Sequence, residues 1–342
     1  MIRYALLSGE HPSMPLGELE ALLEVLDPEA RVIEAYDGLA VYESRIPGWE
    51  ITSRAGWIKE AGILAYVGEA AWSPGRLADE IHEALVSLGV DEPLRVEARR
   101  YKQYAPGLSI DLLKKRLIGL LEERGPGAST RAKSILRVFA TEGIVAAGLV
   151  EGVLDTRAFD RRRPGKRPFF KPGPLSPQLS RVLANLSRPQ PGGVFMDPFC
   201  GTGGIALEAC LAWGGRILCG DVAWDMVRGA LRNLPAYGCN TCLVMAHNVV
   251  KPPVAGVVDA IATDPPYGRS TTTSGHSYET LAGALVDLAL SVLPRGGHLV
   301  YAGPHSRRPY AIAEEAGLRV RARYHMHVHG TLTREVVVAQ RV

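Results

Sequence analysis

From Pro174 to Val342 short apolar runs alternate with helical patterns, and few folds accommodate such an order. "VFMDP" precedes "GGIALEACLAWG", "RILCGDV" precedes "AWDMVRGALRNLPAYG", "AIATDPP" comes before "YETLAGALVDLALSVL", and "GGHLVYAG" before "PYAIAEEAG". "CLVMAHN" is one further strand. Apolar strands that alternate with helices predict a mostly parallel sheet covered on both faces. The last two runs, "RVRARYHMHVH" and "REVVVAQRV", predict a β-hairpin closing one edge.

The first 157 residues read differently. "IRYALLS" is a strand pattern, "PLGELEALLEVL" has leucines at helical spacing, and "RVIEAYDGLAVYES" is a hairpin turning at Asp37-Gly38. This is a small α+β unit over 1–58. A second one, 59–157, contains "RLADEIHEALVSLG", "PLRVEARRY" and "SIDLLKKRLIGLLEER", the last with Ser109 as helix cap. Residues 158–173, within "RAFDRRRPGKRPFFKPGP", lack any period and read as a basic linker before the domain at 174–342.

Charge follows this division. Residues 1–60 hold 11 acidic and 5 basic side chains, a net of −6; residues 95–137 hold 11 basic and 4 acidic, a net of +7; residues 157–188 hold 9 basic and 1 acidic, a net of +8. The formal total of +3 conceals a middle third suited to a polyanion, although solvated faces account for the same charges. The candidates for nucleic-acid contact are Arg99, Arg100, Lys102, Lys114, Lys115, Arg131, Lys133, Arg161, Arg162 and Arg163. No apolar run of membrane-spanning length and no export signal is visible, so a cytoplasmic location is expected. Nor is an obligate protein partner evident, and a monomer is the working expectation.

In sheets of this kind ligands bind beyond the carboxyl ends of the strands. Two such ends carry chemistry. In "VFMDPFCGTGG" a carboxylate, Asp197, ends a strand before a loop containing Pro198, Cys200, Gly201, Thr202 and Gly203. An acid before a glycine loop suits a ligand bearing an ammonium better than a pyrophosphate. Asp221 ends the next strand, placed for two ribose hydroxyls, and Asn248 ends the third, placed for an adenine. Together they describe S-adenosylmethionine better than NAD; the plain alternative is a tight strand-to-helix turn. The second end is "TDPPYG". Two prolines cannot continue a ladder, so the strand stops there and opens Asp264, Pro265 and Tyr267 to the cleft. Methylating an exocyclic amine requires freeing a lone pair delocalised into the base. The Asp264 carboxylate and the Pro265 carbonyl can hold the amine hydrogens, and Tyr267 can stack on the ring. No histidine base and no metal are needed. A proline turn closed by Gly268 is the alternative for this stretch taken alone.

"DPFCGTGG", "GD" at Asp221 and "TDPPYG", in this order, resemble the motifs of Rossmann-like S-adenosylmethionine-dependent amino-methyltransferases. "RPFFKPGPLSPQLSRVLANLS", "DMVRGALRNL" and "HVHGTLTREVVV" are similar to the archaeal tRNA guanosine-N2 methyltransferases acting at position 10. The resemblance implies a ferredoxin-like piece and a THUMP RNA-binding domain ahead of the catalytic domain, tRNA as partner, N2-methyl- and N2,N2-dimethylguanosine as products, and the site residues named above. Where relatives have "GDA", this chain has "AHN", an amide at Asn248 replacing a carboxylate. Other readings keep the chemistry on adenine N6 or cytosine N4 in ribosomal RNA or DNA, or leave a catalytically weak RNA-binding protein.

Two further groups are weighed. His325, His327 and His329 alternate on a strand and are expected on one face with no carboxylate nearby, as edge-strand surface. The five cysteines, including Cys239 and Cys242 in "CNTC", argue against a disulfide framework and against structural zinc.

Overall fold

The computed structural model describes residues 1–250, 256–268, 275–330 and 332–342. Arg269 and Ser270, which follow the "DPPYG" stretch, and Thr331 in the C-terminal hairpin lie outside the described residues. The chain forms two compact units: 1–16, 26–53 and 58–154 in the first, and 17–25, 54–57 and 155–342 in the second.

The first unit contains β1 (Ile2–Leu7), the ends of α1 (Met14–Leu26), β2 (Arg31–Tyr36), β3 (Leu39–Glu43), α2 (Gly48–Arg54), β4 (Ile58–Glu69), α3 (Pro74–Ser87), β5 (Leu94–Arg100), α4 (Ile110–Arg124), β6 (Ser134–Thr141) and β7 (Ile144–Val153). Asp37-Gly38 makes the β2–β3 turn, with Gly38 at φ +80. A single sheet, ordered β2-β3-β1-β4-β7-β6-β5, runs through both segments that the sequence separates near residue 58. The strand β4 joins them, pairing with β1 on one side and β7 on the other. α3 and α4 cover one face with Leu77, Ile81, Leu85, Leu113, Leu117 and Leu121, all buried. Ser73 and Ser109 cap these helices through their hydroxyls.

The second unit contains α5 (Thr156–Arg161), α6 (Pro177–Leu186), β8 (Val194–Asp197), α7 (Gly204–Trp213), β9 (Arg216–Asp221), α8 (Trp224–Ala236), β10 (Cys242–Ala246), β11 (Ala260–Thr263), α9 (Tyr278–Val292), β12 (His298–Pro304), α10 (Pro309–Glu315), β13 (Arg319–His329) and β14 (Leu332–Gln340). Its sheet is ordered β10-β9-β8-β11-β12-β14-β13 and is parallel except for β14, which runs antiparallel to both β12 and β13. The chain leaves β8 towards β9 on one side, and β11 pairs with β8 on the other. The order therefore reverses between β8 and β11, which puts the loops after those two strands side by side.

Three expectations change. Residues 157–174 are not a bare linker: α5 and a 3-10 turn at Pro164–Lys166 occupy them, and Arg162 binds both oxygens of the fully buried Glu208, at 2.8 and 3.0 Å. A lone buried carboxylate needs such partners, and Arg181 supplies another at 2.9 Å. Cysteine pairing also differs, because Cys210 at the end of α7 and Cys239 before β10 form a disulfide. Finally, Glu335 on β14 lies opposite His325 and meets His305 at 2.9 Å, while a register shift after His327 takes His329 out of the alternation. A carboxylate thus does accompany the histidines, but it is contributed by the neighbouring strand, which a local reading cannot see.

Candidate active site

The glycine loop is organised by the acid that follows it. Asp221 Oδ2 accepts from the Gly201 N–H at 2.9 Å, and Oδ1 accepts from Ala223 at 2.9 Å. The Cys200 N–H meanwhile bonds the Gly220 carbonyl at 2.8 Å. The loop after β8 is thereby fastened to the end of β9. Gly203 caps α7 in the left-handed region, φ +87, where a Cβ would meet Leu234 at 3.3 Å. Gly201 is also left-handed, φ +52, but nothing lies within 4 Å of where its Cβ would stand. One glycine is needed by the fold, and the other leaves space above the loop.

Asp197 is buried at the end of β8, where its Oδ1 accepts from Thr263 Oγ1 at 2.6 Å. Burial pushes its carboxyl up to about 7, against the hydrogen bonds from Thr263 and Phe199. Burial also raises Asp221, opposed by its two backbone donors. Two acids flanking an open glycine cradle suit a ligand that brings both a cation and hydroxyls. Pro198, Cys200 and Thr202 are buried and shape the loop; the Cys200 thiol is raised chiefly by its contact with Cys219. Asn248 is exposed, and its side-chain oxygen accepts from Val250 at 3.0 Å. The buried residue at that strand end is instead His247, which lies so close to Gly220 that a Cβ there would come within 2.8 Å of its Nδ1.

At the end of β11, Asp264, Pro265 and Tyr267 stand together. The Tyr267 hydroxyl donates to Asp264 Oδ1 at 2.5 Å, and its ring meets Tyr278 edge-on at 6.2 Å. Arg334 of β14 completes the group, its Nε donating to the Tyr267 oxygen at 2.9 Å and its Nη2 lying 3.6 Å from Asp264 Oδ2. Burial raises Asp264, and Arg334 opposes that shift. Arg334 lies within "HVHGTLTREVVV", but no spacing in that stretch ties it to the cleft; the β12–β14 register, Pro304 opposite Arg334, brings it there.

Residues 164–335 match the RMKL-like methyltransferase domain. The chain is 33% identical over 343 residues, covering 98% of both sequences, to a tRNA (guanine(10)-N2)-dimethyltransferase of Methanothermobacter thermautotrophicus. The chain belongs to the archaeal tRNA (guanine(10)-N2)-dimethyltransferase family. A Pyrococcus abyssi member is 30% identical over 97% of each chain. Among solved structures, TrmN from Thermus thermophilus superposes with a TM-score of 0.55 at 22% identity, each chain fully covered, a likeness of fold.

The basic candidates sort by what they touch. In the first unit Lys115, Arg131 and Lys133 are exposed and Lys114 is half-buried. Lys102 pairs with Asp37, Arg100 donates to the Leu108 carbonyl, and Arg99 lies over Phe139 at 5.4 Å. In the second unit Arg161 and Arg163 are exposed, with Asp155 and Asp160 as partners, whereas Arg162 is held by Glu208.

Proposed function

We propose that this family member transfers methyl groups from S-adenosylmethionine to N2 of guanosine 10 in tRNA, giving N2-methyl- and then N2,N2-dimethylguanosine. The observation that carries the reading is the juxtaposition across β8 and β11: a glycine loop with Asp197 and Asp221 on one side, Asp264-Pro265-Pro266-Tyr267 on the other. When bound, the cofactor supplies an electrophilic methyl on a sulfonium. Asp197 takes its ammonium, Asp221 its ribose hydroxyls, and the backbone from Pro198 to Gly203 its body, with Asn248 at the adenine end.

Asp264 and the Pro265 carbonyl accept the two amine hydrogens and turn the nitrogen lone pair towards the methyl. Tyr267 fixes the plane of the base. Asp264 also favours the positive charge that develops on nitrogen, and the surplus proton departs after transfer. For the second methyl one N–H remains, so one acceptor suffices. Residues 1–58 act as the ferredoxin-like piece and 59–157 as the THUMP module. Its exposed cations at Lys115, Arg131 and Lys133 face the phosphate backbone, ahead of the catalytic residues in 174–342.

Incubating the full chain with labelled S-adenosylmethionine and either unmodified tRNA transcripts or DNA, followed by nucleoside chromatography, tests this. Label in N2-methylated guanosine is expected. Label only in N6-methyladenine or N4-methylcytosine would overturn the guanine assignment while keeping the amine chemistry.

A further inference from the structure

Arg334 is the one cation in direct contact with the DPPY group among the described residues, and its guanidinium reaches both side chains at once. Nε holds the Tyr267 oxygen at 2.9 Å, and Nη2 stands 3.6 Å from Asp264 Oδ2, while the Tyr267 hydrogen goes to Asp264 Oδ1 at 2.5 Å. The guanidinium side chain is only 13% exposed, so its charge is weakly screened. We propose that Arg334 is a positioning residue for the amine transfer, holding Asp264 as an ionised acceptor and retaining the Tyr267 hydroxyl when the base amine takes its place on Oδ1. This rests on the assignment of Asp264 as the amine acceptor made above.

The need for such a cation follows from the surroundings. The charged and titratable groups that face Asp264 are Tyr267 on its own loop, Arg334 on β14, Asp197 on β8 and Tyr278 on α9. Arg334 alone among these is cationic. Burial favours protonating Asp264, with Arg334 and the Tyr267 hydroxyl opposing it, and a protonated carboxyl loses the acceptor that an amine hydrogen requires. A lysine in place of Arg334 would keep the charge, but as a single point it cannot span Tyr267 and Asp264 together.

The test compares wild type, Arg334→Gln, Arg334→Lys and Asp264→Ala in the full chain, with tRNA transcript and labelled S-adenosylmethionine. Measured are kcat and KM for tRNA, the pH dependence of kcat, cofactor affinity and melting temperature. Arg334→Gln is expected to lower kcat by roughly a hundredfold. Its acidic limb should move up by about one pH unit, since ionisation becomes harder, with cofactor affinity unchanged. Arg334→Lys should return the limb towards its original place while recovering only part of kcat. Wild-type kcat and limb in Arg334→Gln, with Asp264→Ala inactive, would overturn the role of Arg334 and leave the site assignment standing. Full activity in Asp264→Ala would overturn the site assignment itself. If Arg334→Gln fails to fold, Arg334→Lys decides: wild-type kcat there contradicts the two-point contact.

Discussion

Thr263 Oγ1 donates to Asp197 Oδ1 at 2.6 Å, tying the strand that ends in the amine-binding motif to the strand that ends in the cofactor loop. Replacing Thr263 with Val removes the donor and leaves a buried carboxyl short of a partner. The expected loss is about 1–3 kcal/mol of stability, read by chemical denaturation, together with weaker cofactor binding.

Asp197 makes stability and cofactor binding depend on pH. Its carboxyl is raised from 3.8 to about 7 in the folded chain. Between those values the native state keeps a proton that the unfolded chain has released. Its contribution is therefore complete below the lower value and is lost as pH rises through the upper one. Asp197→Asn should flatten this slope, a difference measurable from melts of both proteins across pH 4 to 8. Because the cofactor ammonium favours the ionised form, wild-type affinity should fall as pH drops below 7, and calorimetry in two buffers should show proton release on binding.

Asp221 has two jobs, since its oxygens hold Gly201 and Ala223 before any ribose arrives. Asp221→Ala is expected to weaken cofactor binding by roughly tenfold to a hundredfold, equivalent to about 1.4–3 kcal/mol. Equilibrium dialysis with labelled cofactor measures this directly.

The neighbouring arginines at 161–163 should separate into two behaviours. Arg162→Ala breaks a buried pair with Glu208 and is expected to cost about 3–5 kcal/mol of stability. Arg161→Ala with Arg163→Ala should leave the melting temperature nearly unchanged and reduce the salt dependence of tRNA affinity, as lost phosphate contacts release fewer counterions. Equal slopes in the double variant and wild type would remove these two side chains from the RNA surface.

The Cys210–Cys239 disulfide closes a sequence separation of 29 residues. Reduction, or Cys210→Ser, is expected to lower stability by about 3 kcal/mol, seen as a shift of the urea midpoint.

What could be read from residues alone tracks how local each signal is. The strand–acid–glycine loop around Asp197 and the prolines after Asp264 are encoded within a few residues, and both lie at the strand ends expected of them. Helix α2 leaves little trace in the residues, being a short segment with Trp49 exposed and few apolar positions at helical spacing. Arg334, Glu335 and the Cys210–Cys239 bridge depend on pairing between distant segments, which no local period reports. Arg162 shows the opposite limit: a run of cations in "DRRRPGK" looks uniform, yet one of them is drawn inward by a buried carboxylate 46 residues away.

The most direct test of the central claim removes the reacting atom and nothing else. A tRNA transcript carrying inosine in place of guanosine 10 lacks the exocyclic amine but keeps the rest of the base. With the full chain and labelled S-adenosylmethionine, the guanosine transcript should take up label at position 10 and the inosine transcript none. Equal incorporation into both would contradict transfer to N2.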